Sequence, residues 1–133
     1  MADDNIVISE KDHARIMHLL GYQNSPEYEN LKLELERAKL ITDDQVPPNL
    51  VTMNSKVKFL NINDDKEMIV TLVYPSDADF SKGRISILAP LGSALIGLSV
   101  NQEIAWQFPN GKTKRLRILE ILYQPEANCD WHL

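Results

Sequence analysis

The chain has 133 residues and a net charge of −5, with 44% hydrophobic and 25% charged residues, which suits one domain with a small appendage and excludes wholesale disorder. No stretch approaches the about 20 uninterrupted apolar residues of a membrane span, and the acidic start Met1-Ala2-Asp3-Asp4-Asn5 does not read as a secretion signal. One cysteine, Cys129, cannot form an internal disulfide, so a reducing cytoplasm is the expected location. Residues 1–50 hold ten acids and five bases, whereas 51–133 hold nine of each. An acidic front half repels phosphate backbones, so direct sequence-specific nucleic-acid binding is not expected, and a protein partner with basic surface fits better.

In chain order, Ser9 is placed to cap a first helix, with Asp12 completing a capping-box spacing and Ile8 as the staple residue. His13, Ile16, Met17 and Leu20 share one arc, and Gly21 ends the element. Ser25 and Pro26 suit the start of a second helix, on which Tyr28, Leu31, Leu35 and Ala38 form a narrow apolar stripe. The short connection predicts an antiparallel helical hairpin over 1–42. Leu33 and Leu40 make a second apolar pair on the far side, suited to contact with the rest of the chain or with a partner.

Residues 43–50, with Pro47-Pro48, read as a linker. From 51 to 133 the pattern turns to strands, at Thr52–Leu60, Met68–Tyr74, Arg84–Leu88, Glu103–Phe108 and Thr113–Tyr123. Asn63-Asp64-Asp65 and Pro109-Asn110-Gly111 supply turns, and Pro90–Leu98 reads as one short helix. The expected class is α+β: a short antiparallel hairpin, or coiled coil, followed by a domain of about five antiparallel strands and one helix.

No catalytic constellation emerges, so an enzyme is not expected. The five glycines are scattered outside any phosphate-loop spacing. His13 and His18 diverge on a helix, and Cys129 with His132 is short of a zinc ligand set, so neither metal nor cofactor is expected. Cys129 also lacks an oriented base for nucleophilic chemistry. Arg115 and Arg117 alternate with Leu116 and Ile118 and so face outward, as a solvated face or a partner contact. Glu27, Glu29, Glu34 and Glu36 read first as solubilising charge on the second helix.

The run Ile85-Ser86-Ile87-Leu88-Ala89-Pro90-Leu91-Gly92-Ser93-Ala94-Leu95-Ile96-Gly97-Leu98 resembles the strand-to-helix segment of the Gre transcript-cleavage factors, and the resemblance covers about residues 50–124. It implies an FKBP-like C-terminal domain. Val51-Thr52-Met53-Asn54-Ser55-Lys56-Val57-Lys58-Phe59, Thr71-Leu72-Val73-Tyr74-Pro75 and Tyr123-Gln124-Pro125-Glu126-Ala127 resemble the bacterial family of regulators of nucleoside diphosphate kinase, over nearly the whole chain. That resemblance implies binding to RNA polymerase near its secondary channel, in competition with Gre-type factors, and an indirect influence on the kinase.

The Gre cleavage role does not carry over. Helices of roughly 12 and 16 residues give a hairpin of about 18–24 Å, around half of a Gre-type probe. The tip, Tyr22, Gln23 and Asn24, has no carboxylate to help hold a metal, and Glu27 is only the nearest one. The docking role does carry over, to Leu88, Ala89 and Pro90, although Ala89 stands where Gre factors have serine. The expected protein is a non-catalytic, monomeric polymerase-binding regulator. The competing reading is an FKBP-type prolyl isomerase or small-ligand binder, with Phe59, Tyr74, Trp106, Phe108 and Tyr123 lining an apolar pocket.

Overall fold

The computed structural model describes residues 6–21, 28–107, 111–130 and 133. Val7–Ser9 forms strand β1 and leads directly into helix α1, Glu10–Leu20. Ser9 Oγ accepts from Asp12 N at 3.1 Å, so the anticipated cap forms and satisfies one of the helix's unpaired amides. Helix α2 runs over Glu29–Arg37 in the described residues, and the expected cap at Ser25-Pro26 lies outside them. Ile16 and Leu20 of α1 and Leu31 and Leu35 of α2 are all buried in one core. His13 Nε2, near the start of α1, hydrogen-bonds the Leu35 carbonyl near the end of α2, as antiparallel packing requires.

The second helix does not continue to Leu40. It ends at Arg37, and Lys39–Ile41 becomes strand β2, paired in parallel with β1. Lys39 N donates to Ile6 O at 2.9 Å, so extended pairing replaces the last helical turn. Asp43–Gln45 then forms a single 3-10 turn before the two prolines.

Beyond the prolines a five-stranded sheet is built from β3 (Lys56–Asn61), β4 (Lys66–Val73), β5 (Arg84–Ser86), β6 (Glu103–Gln107) and β7 (Thr113–Tyr123), in the order β5-β4-β3-β7-β6. The β3–β4 hairpin turns where Asn63-Asp64-Asp65 predicts, with Asp65 in the left-handed region at φ 54°. The sheet is not wholly antiparallel. The β4–β5 pair is parallel, because residues 75–82 cross back over one edge as two 3-10 turns before β5 begins.

Val57, Phe59, Val70, Leu72, Leu116 and Ile118 put their side chains on one face of the sheet, and helix α3, Pro90–Leu95, covers that face with Ala94 and Leu95. The helical residues of the N-terminal half belong to the same continuous apolar cluster. Ile6 lies against Gly97, where an added Cβ would come within 2.6 Å of the Ile6 Cβ and where φ is +79°. Only glycine admits both that backbone conformation and that approach.

Candidate functional site

The segment expected to dock, Leu88-Ala89-Pro90, is the turn between β5 and α3. It is a hydrogen-bonded structure. Ala89 N donates to Ser86 O and Leu88 N to Ser86 Oγ, both at 3.0 Å. Ser93 Oγ reaches back to Ile87 O at 2.7 Å, and Ser93 N donates to Ala89 O at 2.9 Å. Pro90 sits in the first turn of α3, where its missing N–H costs nothing. Leu88, Ala89 and Pro90 are each half-buried, so the turn is anchored to the core yet presents a surface.

Gly92 has a role that spacing alone did not show. A Cβ there would stand 2.1 Å from Ser86 O, so only glycine lets α3 lie against the end of β5. The signal in the sequence was the Gly92-Ser93 pair, two small residues one turn after a proline. The tip residues Tyr22, Gln23, Asn24 and Glu27 lie outside the described residues.

The joint between the N-terminal helices and the sheet domain is polar at its centre. Asp12, 1% exposed, accepts from Met53 N at 3.0 Å and from Arg15 at 2.7 Å. Burial pushes its carboxyl pKa up, against the lowering effect of the Met53 amide and Arg15. Arg15 also donates to Leu133 O at 3.0 Å and stacks over the Tyr74 ring at 4.9 Å. Burial raises the Tyr74 phenol strongly. Glu126, raised by burial, accepts from Thr52 Oγ1 at 2.8 Å, and a hydrogen bond to Asp130 pushes Tyr123 up to about 12. Asp12 was expected only as a capping-box residue; its carboxylate in fact ties α1 to the segment before β3.

Other expected groups fall apart in space. Arg115 and Arg117 are not a free basic face: both pair with Glu103, at 2.9 and 2.6 Å, and hold its carboxyl below the usual range. Phe59 is a core residue, whereas Tyr123 and Tyr74 line two different grooves that share Asp77, so the described aromatics do not converge on one apolar pocket. Trp106 lies on β6 with its side chain outside what the structure describes, as Phe108 is altogether. Leu33 and Leu40 are 51% and 45% exposed, so about half of each side chain faces solvent. Cys129 is exposed, and among the described residues no group of three or more His, Cys, Asp or Glu could hold a metal. Among the same residues no helix is long and apolar enough to cross a membrane.

The chain thus joins two packed helices to a five-stranded sheet that is covered by a short helix and reached through a hydrogen-bonded strand-to-helix turn. The pattern of the family described as "Transcription elongation factor, GreA/GreB, C-term" matches residues 46–123, and that described as "Rnk N-terminus" matches 4–41. A solved structure, "Prokaryotic transcription elongation factor GreA/GreB from Nitrosomonas europaea", is 44% identical with a TM-score of 0.73, covering 90% of this chain and 98% of that one. The "Transcription elongation factor GreA" of Helicobacter hepaticus is 39% identical over 71% of this chain and 57% of its own length. The "Regulator of nucleoside diphosphate kinase" of Escherichia coli (strain K12) is 40% identical over the full length of both chains. The chain belongs to the Rnk family, whose C-terminal half is of the GreA/GreB type.

Proposed function

We propose that this protein is a non-catalytic transcription regulator that binds RNA polymerase near its secondary channel and competes there with Gre-type factors. Residues 51–133 serve as the docking domain, 43–50 as the linker and 1–42 as a hairpin too short to act as a cleavage probe. The observation that carries the reading is the join of a GreA/GreB-type domain to helices of 11 and 9 described residues. At 1.5 Å per residue these span about 16 and 14 Å. The Leu88-Ala89-Pro90 turn is the anchor, because its hydrogen bonds through Ser86 and Ser93 hold it in one shape before any partner arrives, which lowers the ordering cost of binding. The protein acts as a monomer in the cytoplasm, and any influence on nucleoside diphosphate kinase follows from altered transcription.

The test is co-elution with core RNA polymerase on size exclusion, for the wild type and for Pro90→Ala combined with Leu88→Glu. Wild type should co-elute at micromolar protein, and the double variant should not while keeping a native circular dichroism spectrum. Absence of a wild-type complex would refute the reading; retained binding by a folded double variant would refute the anchor.

A further inference from the structure

The outer face of the sheet carries a row of side chains that the docking role does not use. Lys56 of β3 is the register partner of Thr71 of β4, and Thr71 is the partner of Arg84 of β5. Residues directly opposite one another in a sheet project from the same face, so Lys56, Thr71 and Arg84 stand side by side on three adjacent strands. At about 4.8 Å between strands, the two cationic residues are roughly 10 Å apart at the backbone, with the threonine hydroxyl between them. These three line an open groove of about 410 Å³ whose wall also includes Asn54, Val73, Asp77, Tyr123 and Leu133.

The pairing pattern of the molecule makes this row unusual. Among the described residues, Arg15, Arg37, Arg115 and Arg117 each meet a carboxylate. Arg84 meets none, although the chain carries an excess of acid. Lys56 likewise meets no carboxylate among the described residues, whereas Lys58, two residues on and facing the same side, is paired with Glu67. The Thr71 hydroxyl and the Asn54 amide have no hydrogen-bond partner within the described chain either. Asn54 is held at φ 67°, and its N–H donates to Leu72 O, which fixes the side chain at the groove's edge. Two cations and two neutral donors therefore line one groove together with Asp77, while Asp79, the bridge partner of Arg84, turns its carboxylate to Ser81 N and Oγ.

We infer that this groove is a binding site for a phosphate-type oxyanion, such as a phosphate monoester or pyrophosphate. A guanidinium fork, an ammonium and two neutral donors present more hydrogen bonds than the two oxygens of a carboxylate can accept, whereas the three or more oxygens of a phosphate match them. A second groove of about 540 Å³ meets the first at Asp77 and is walled by Ala14, Leu19 and the Tyr74 ring. It offers an apolar surface to an organic group attached to the phosphate.

The experiment titrates the full-length ¹⁵N-labelled protein with pyrophosphate at fixed ionic strength and follows amide shifts. Saturable shifts are expected at Asn54, Lys56, Thr71 and Arg84. Affinity should fall roughly tenfold for each charged contact removed in Lys56→Gln and Arg84→Gln. Both side chains are exposed, so thermal midpoints should stay at the wild-type value. Lys66→Gln, which removes a lysine outside the groove, should leave affinity unchanged, and acetate should bind at least about tenfold more weakly, having lost more than one contact. Shifts that do not saturate, an equal loss in Lys66→Gln, or equal binding of acetate would overturn the assignment.

Discussion

Replacing Asp12 by alanine removes a side chain that ties α1 to the segment leading into the sheet. The Met53 amide, whose residue is 1% exposed, loses its acceptor, and an unsatisfied buried donor costs about 1–3 kcal/mol. Arg15 loses its partner too, but with 35% of its side chain exposed it is partly re-solvated, so that loss adds about 1 kcal/mol at most. The expected destabilisation is therefore about 1–4 kcal/mol, or roughly 10 °C in thermal midpoint near the middle of that range for a chain of this size. Asp12→Asn keeps an oxygen for Met53 N–H and should cost less. The two asparagine and aspartate proteins should also differ with pH. Because burial raises the folded pKa of Asp12, the native state holds its proton to higher pH than the unfolded chain, whose value is near 3.8. Between those values the native state binds more protons, so stability contributed by this group grows as pH falls. Wild type should thus gain on Asp12→Asn as pH drops from 7 toward 4, by urea unfolding followed with far-UV circular dichroism. An Asp12→Ala change within about 0.5 kcal/mol of wild type, the scatter of a surface substitution, or a wild type that loses ground on acidification, would refute the reasoning.

Glu103 carries the opposite sign. Its carboxyl is held low by Arg117 and Arg115, so its contribution is present above the ordinary value of 4.5 and lost as pH falls through the lowered one. Glu103→Gln should lower the midpoint slightly at pH 7 and not at all in strong acid, and added salt should shrink the effect. Leu35→Ala, at a 1% exposed site between the helices and the sheet, should cost about 2–5 kcal/mol in chemical denaturation. Gly92→Ala should displace α3 from β5, since its Cβ would meet Ser86 O at 2.1 Å, and should weaken polymerase binding more than it lowers helix content. Leu33→Ser with Leu40→Ser should change stability by less than about 0.5 kcal/mol, because both side chains are half exposed, as urea titration would read.

Much of this architecture is legible in local chemistry. Ser9 caps α1, Asn63-Asp64-Asp65 turns β3 into β4, and the strand over Thr113–Tyr123 falls where its β-branched and apolar residues place it. What the sequence hides depends on partners distant in the chain. Lys39–Ile41 continues the helical stripe and is too short for a period of two to register; pairing with Val7–Ser9, about 30 residues earlier, makes it a strand. The parallel β4–β5 pair depends on the crossing of residues 75–82, which turn residues alone do not orient. Asp12 is similar: its spacing from Ser9 explains its amide, and only the fold shows its carboxylate meeting Met53. Arg115 and Arg117 alternate outward as expected, but their joint capture by Glu103 across the β6–β7 ladder could not be read from either strand.

Competition on the polymerase tests the central claim most directly. Labelled protein is bound to core RNA polymerase and titrated with unlabelled GreA, and transcript cleavage in a stalled complex is followed in parallel. The account predicts that GreA displaces the label to completion, that Pro90→Ala with Leu88→Glu gives no bound label at the start, and that the protein itself suppresses rather than stimulates cleavage. A label that stays bound at saturating GreA, or cleavage stimulated by this protein alone, would contradict it.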